Sequence, residues 1–166
     1  MTTMEIKNPP DLICFTKVDL PHGWLGNMAP YPVEFDGLRW RTTEALFQAL
    51  RFDDLAIREE IRNQPSPMSA KMVAKRHLQS DAVRVQPRSP EDLENMRLCL
   101  RLKLDCHSEL QSLLVATENA VILEDASKRR GESARFWGCQ LGEDGIWRGG
   151  NQLGLLWMEL RDSVKK

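Results

Sequence analysis

Neither sign of charge dominates this sequence: 23 Lys and Arg stand against 24 Asp and Glu over 166 residues, a net charge of −1. A broad electrostatic grip on nucleic acid is therefore not expected, although a local basic patch is compatible with the balance. No apolar run approaches the roughly 20 residues of a membrane-spanning helix. The opening Met1-Thr2-Thr3-Met4-Glu5-Ile6-Lys7-Asn8-Pro9-Pro10 lacks the hydrophobic region of a secretory signal, so a cytoplasmic location is expected. Cys14, Cys99, Cys106 and Cys139 show no CxxC spacing, which favours buried free thiols in a reducing compartment over a disulfide frame or a zinc site. His22, His77 and His107 are scattered and form no HExxH pair, so no metal is expected. Walker A, GxGxxG and GxSxG are all missing, and phosphoryl transfer, dinucleotide redox and serine-hydrolase chemistry lose their usual support. No cofactor is implied.

What is present is a hydrophobic content of 42% with 28% charged residues, the balance of an ordinary globular domain with a sizeable core. Its most informative stretch is Trp40-Arg41-Thr42-Thr43-Glu44-Ala45-Leu46-Phe47-Gln48-Ala49-Leu50-Arg51-Phe52. Thr42 or Thr43 reads as a helix N-cap, with Glu44 in the first turn, where the helix dipole favours a carboxylate. At about 100° per residue, Glu44, Gln48 and Arg51 share one narrow stripe, flanked by Phe47 and Phe52. Ala45, Leu46, Ala49 and Leu50 cover most of the rest. A surface helix has a broad polar face, whereas this one has a thin polar strip in apolar surroundings. Its carboxylate, amide and guanidinium must find partners. They can find each other, as a buried Glu44–Arg51 pair through Gln48, or they can find a ligand.

The rest of the chain alternates short strands and capped helices. Residues 1–10 read as a flexible arm, and 11–166 as one domain. Leu12–Phe15 and Val121–Leu123 read as buried strands. Asp19 to Pro30 is a Gly/Pro loop that holds Trp24, Leu25 and Met28, so it either plugs the core or lines a pocket. Val33, Phe35, Leu38 and Trp40 around Asp36-Gly37 predict a hairpin with a type I′ turn. Asp53-Asp54, Ser66-Pro67 and Ser89-Pro90 open three further helices, the last running to about Asp105 with Asp92 at N3. The second carries Lys71, Lys75, Arg76 and His77, either a solvated face or a phosphate-binding patch. Ser108 to Gln111 is a capping box for another short helix. Lys128 to Ser133 is a basic loop. Gly142 to Gly150 is a second loop, with hairpin character at Glu143-Asp144-Gly145. The last helix covers about Leu153 to Val164. The expected fold class is α+β, mostly helical, with small strand pairs.

Tryptophan sits beside glycine at Gly23-Trp24 and Trp137-Gly138, and one residue away from it at Trp147-Arg148-Gly149. Glycine admits close backbone approach, indole offers a stacking face and arginine suits phosphate, a set that fits a nucleotide. A tryptophan is more often part of a core than a stacking platform.

Leu25-Gly26-Asn27-Met28, Phe35-Asp36-Gly37 and the Trp40–Phe52 stretch resemble the N-terminal signature of the NADAR family (NAD- and ADP-ribose-associated, YbiA-like). Ser66-Pro67-Met68 with Ala70-Lys71, then Phe136-Trp137-Gly138, then Asn151-Gln152-Leu153-Gly154 with Leu156 to Arg161 resemble its later motifs in the same order. The resemblance spans about residues 13–163. It implies an N-glycosidase that breaks the C1′–N bond of a phosphorylated ribose, either in ADP-ribosylated guanine of nucleic acid or in a small ribosyl-phosphate intermediate of riboflavin synthesis. The second reading is a non-catalytic module that binds ADP-ribose or NAD. A structural or toxin-partner protein using the basic 71–77 helix is a third reading. No membrane partner is implied.

Cleaving such a bond develops oxocarbenium character at C1′, which a carboxylate can stabilise while it orients water. Glu44 matches the family's acidic position. Asn27 and Gln48 are candidates for ribose hydroxyls or the water, and Trp40, Trp137 and Trp147 for stacking on a base. Arg51, Arg148 and Lys71 are candidates for phosphate, and Gly138 and Asn151 complete the binding set. The chain departs from the family at three places. Many members have Glu-His and later Lys-Phe where this chain has Glu44-Ala45 and Arg51-Phe52. A lysine there can form a Schiff base with an opened sugar, whereas Arg51 stays protonated and cannot. Many members also carry Asp three residues before Trp-Gly, where this chain has Ala134. Glu132 is the candidate replacement carboxylate.

Overall fold

The computed structural model describes residues 2–166. These form an α+β fold of seven α-helices and seven short strands. The chain packs as two compact units, one of residues up to Gly26 together with Glu109–Lys166, the other Asn27–Ser108. It begins in the first unit with β1 (Met4–Lys7), β2 (Leu12–Phe15) and a 3-10 turn at Gly23–Leu25. It then builds the second with β3 (Val33–Phe35), β4 (Leu38–Trp40), α1 (Thr43–Ala49), α2 (Leu55–Arg62), α3 (Pro67–His77) and α4 (Pro90–Cys106). It returns to the first through α5 (Ser108–Ala116), β5 (Val121–Glu124), α6 (Glu132–Trp137), β6 (Cys139–Leu141), β7 (Ile146–Gly149) and α7 (Gln152–Val164).

In the first unit β2 and β5 pair in parallel, from Leu12 opposite Val121 to Phe15 opposite Glu124. A parallel pair needs a long crossover, and here the whole second unit and α5 supply it. α7 packs on β5. Trp157 of α7 is fully buried, donates Nε1–H to the Leu25 carbonyl at 2.9 Å and meets Trp24 edge-on at 5.8 Å. The Gly/Pro loop with large apolar residues is thus a core plug, at least through Trp24 and Leu25. Residues 4–7, expected within a flexible arm, instead form β1 against β7 in a β1-β7-β6 sheet. Glu5 faces Arg148 across that pair, an opposite-charge contact of the kind that supports sheet pairing. Met1, the first residue of that arm, lies outside the described residues. The 128–133 stretch is not loop throughout, because Glu132 opens α6.

In the second unit β3 and β4 form the hairpin, with Asp36 at φ +52° and Gly37 at φ +75°, as a type I′ turn requires. α1 packs against α2, α3 and α4, and α4 also against β3. Each helix start follows its local signal. Thr42 caps α1 by accepting from Ala45 N–H, Asp54 caps α2, Ser66 forms a capping box with Ser69 on α3, and Ser89 caps α4. Such caps contribute typically about 1 kcal/mol each. Thr43, the alternative cap, points its hydroxyl elsewhere. Surrounded on three sides, α1 is buried at every residue, including the polar ones.

Gly154 lies where α7 crosses β5. A Cβ there would sit 2.2 Å from the Ile122 carbonyl oxygen and 2.5 Å from Asn151 Oδ1. Gly154→Ala is therefore expected to destabilise by roughly 1–3 kcal/mol, although alanine is the better helix former. Urea denaturation reads this as a lower midpoint at unchanged slope, and an unshifted midpoint would contradict the crossing.

Candidate active site

The thin polar strip of α1 becomes a continuous buried hydrogen-bond chain. Thr43 Oγ1 lies 2.5 Å from Asn27 Oδ1 and 3.0 Å from the Asn27 carbonyl. Asn27 Nδ2 donates to Glu44 Oε2 at 2.7 Å, and Gln48 Nε2 donates to Glu44 Oε1 at 2.7 Å. Arg51 Nη1 donates to Gln48 Oε1 at 3.0 Å. The same guanidinium grips Asp92 with two bonds of 2.9 Å, from Nε to Oδ1 and Nη2 to Oδ2. Arg88 N–H donates to Asp92 Oδ2 at 2.8 Å. Glu44 keeps only 7% of its surface exposed, and Asp92 none.

The chain has a fixed polarity. A guanidinium is donor-only, so the Gln48 oxygen must face Arg51. The Gln48 NH₂ then faces Glu44, which accepts on that oxygen as it does from Asn27 on the other. Both carboxylate oxygens are held by neutral amides, while the cation on the same helix is neutralised by Asp92. Each oxygen retains a further lone pair. The arrangement is a fixed, negatively charged carboxylate with no cationic partner among these contacts, suited to face a centre that becomes positive.

Asp92 was not singled out as a functional residue by sequence. At N3 of α4 its local role is helix capping, and its partner Arg51 is 41 residues away, so no spacing connects them. Cys99 lies on the same face of α4, and its thiol is pushed well up by burial, with the Glu44 and Asp92 carboxylates adding. Trp40 is buried, and its indole N–H has no hydrogen-bond partner among the described residues. Lys71 stands half-buried on α3, which packs on α1. Arg51, a candidate for phosphate, has its three donor nitrogens on Asp92 and Gln48, and Phe47 lies under its guanidinium at 4.7 Å.

In the first unit, Asn151 adopts φ +45° and is fully buried. Its Oδ1 accepts from Glu124 N–H at 3.1 Å and its Nδ2 donates to the Ile122 carbonyl at 3.0 Å, so both ends of the amide join β5 to the start of α7. A Cβ at Gly138 would lie 2.6 Å from the Glu124 carbonyl, and that close approach to β5 explains the glycine. Trp137 is buried edge-on to Phe136 at 4.9 Å. Trp147 is half-buried in β7. Arg148 is tied to Asp144 at 2.8 Å and to Glu5 at 3.1 Å. Glu132 is exposed on the first turn of α6. A buried carboxylate in this unit is instead Glu124, paired with Arg129, which the apolar run before it concealed. Among the described residues no group of three or more His, Cys, Asp or Glu is placed to hold a metal ion, and no helix is long and apolar enough to cross a membrane.

The chain as a whole matches a known family. The NADAR domain model matches residues 14–165 and so runs across both units. The N-glycosidase YbiA of Escherichia coli (strain K12) is 36% identical over 153 residues, 92% of this chain and 88% of that protein. The N-glycosidase YbiA of Shigella boydii serotype 4 matches to the same extent. A riboflavin biosynthesis protein of Vibrio vulnificus is 28% identical over 159 residues, which cover 93% of this chain but 39% of that one. The NMR structure of E. coli YbiA superposes with a TM-score of 0.73 at 34% identity, covering 93% of this chain and 85% of the other. The chain belongs to the NADAR family, and its relatives include curated N-glycosidases.

Lys103, one turn beyond Cys99 on α4, is fully buried with Nζ 5.2 Å from the Tyr31 ring centre. Burial pushes its pKa down from 10.5 to about 7. Below about pH 7 the folded and unfolded chains both carry this proton, and the cost of burying the cation is fully present. Between about 7 and 10.5 the unfolded chain binds more protons, so stability rises with pH. The melting temperature is expected to climb through this window in the native protein and to climb less in Lys103→Met. Parallel curves for the two would refute the assignment.

Proposed function

We propose that this protein hydrolyses the C1′–N bond of an ADP-ribosyl or ribosyl-phosphate substrate, with Glu44 as the catalytic carboxylate. The observation that carries the reading is the carboxylate clamped between Asn27 and Gln48, with its own helix's cation neutralised by Asp92. As the bond to the base nitrogen breaks, C1′ gains positive charge. A carboxylate whose charge is not already spent on a cation stabilises that charge, and needs no reorganisation because its orientation is fixed. A free lone pair of the same group accepts a proton from the attacking water. The water oxygen joins C1′ and a proton ends on the departing base nitrogen. Lys71 is the candidate for phosphate in this unit, and Arg51 is better suited to holding Gln48. The name of the E. coli relative supports N-glycosidic cleavage, and that of the V. vulnificus relative supports a substrate of riboflavin biosynthesis.

A second reading, binding of ADP-ribose without cleavage, is favoured by one observation. Where the family resemblance implies a lysine in many members, Arg51 is locked in a buried ion pair and offers no nucleophilic amine.

Glu44→Gln separates the two. It should lower kcat by about 10²–10⁴-fold, the usual worth of a positioned acid or base. The dissociation constant for ADP-ribose should stay within a few-fold. The assay follows release of ADP-ribose from ADP-ribosylated guanine DNA and of ribose phosphate from the riboflavin intermediate. Native protein that binds but turns over neither, beside an active family control, would establish the second reading instead.

A further inference from the structure

We propose that Asp92 is a positioning residue for Glu44, acting through Arg51 and Gln48. This rests on the reading of Glu44 as the catalytic carboxylate. Asp92 is fully buried, and its oxygens accept three N–H groups: two from Arg51 and one from the Arg88 backbone. Arg88 sits at φ +65°, a conformation unfavourable for a side chain, and its N–H bond to Asp92 holds it there. Asp92 N–H in turn is held by the Ser89 cap at 3.2 Å. The carboxylate is therefore anchored from α4 and from the segment before it, independently of α1.

That anchor does two things for Glu44. It fixes the guanidinium so that Nη1 is aimed at Gln48, which sets the direction of the amide and gives Glu44 its second donor. It also takes up the arginine's charge. Without Asp92, Arg51 would be an unpaired buried cation about two turns from Glu44, free to swing toward the nearest carboxylate and quench it. A purely structural ion pair would require only that Arg51 and Asp92 meet. Here the third guanidinium nitrogen continues the chain toward the proposed chemistry.

Two variants test this. Asp92→Asn leaves the arginine charge buried and is at risk of unfolding. The double variant Arg51→Met with Asp92→Leu removes both charges together, which buried pairs often tolerate. In the double variant Gln48 loses the donor that orients it. The expected result is a folded protein whose kcat falls up to about 100-fold, the effect of a misplacement near 1 Å, with KM within a few-fold. Side-chain amide NMR provides a reading that needs no turnover. The Gln48 NH₂ protons should exchange slowly with solvent in the native protein and fast in the double variant. A folded double variant with native kcat, or with an unchanged Gln48 signal, overturns the proposal. Absence of turnover in the native protein would remove the proposed function, while the Gln48 signal would still decide whether Asp92 orients this chain.

Discussion

The bidentate contact between Arg51 and Asp92 organises the second unit. α1 is a helix without an exposed face, yet it carries a carboxylate, an amide and a guanidinium. None of these can be buried alone without a cost of several kcal/mol, and breaking such a pair by removing one partner typically costs about 3–5 kcal/mol. The solution is serial, with each group satisfying the next and Asp92 closing the row. Because the row ends in an ion pair of zero net charge, the remaining negative charge is placed at the other end, on Glu44. The same contact thus stabilises the burial of the helix and closes the hydrogen-bond row that reaches Glu44.

The backbone around Arg51 is drawn into the same arrangement. Its carbonyl accepts from Arg84 N–H at 2.9 Å and Val85 N–H at 3.2 Å, and Phe52 bridges to Val83. The irregular stretch between α3 and α4 is therefore held at one side by the Arg51 carbonyl and at its end by the Arg51 side chain through Asp92. α4 follows, with Asp92, Cys99 and Lys103 buried along it. The thiol is kept protonated beside two carboxylates, and the lysine is driven toward neutrality.

Much of this was legible locally. Caps, turn glycines and the polar strip of α1 are encoded within three or four residues of where they act, so Ser66, Ser89 and Asp36-Gly37 could be read directly, and the caps of α1 and α2 to within two adjacent residues. The α+β class and the burial of Glu44, Gln48 and Arg51 followed from the same short-range patterns. What could not be read was decided across long separations. The partner of Arg51 is a capping-position aspartate with an adequate local explanation of its own. β1 is four residues long, and it is a strand because it pairs with β7, whose Arg148 lies opposite Glu5, 143 positions away. Glu124 ends a strand that reads as uniformly apolar, and its burial depends on Asn151 and Arg129. Motif membership likewise did not reveal roles: Asn151 sits in a family motif, and its amide is committed to joining β5 to α7.

The arginine at position 51 is where these threads meet. The family resemblance implies a lysine at that site in many members, and the exchange is not conservative. A lysine presents its donors from one nitrogen and cannot reproduce a planar fork that meets two carboxylate oxygens while a third nitrogen addresses an amide. Here the three nitrogens do these three things, so the arginine and Asp92 form one structural decision rather than two independent residues. A free amine at that position would have been available for covalent chemistry on an opened sugar. The fork removes that option and spends the position on orientation. The group that the fork holds in place, through Gln48, is Glu44, the carboxylate to which the proposed function assigns the bond-breaking step.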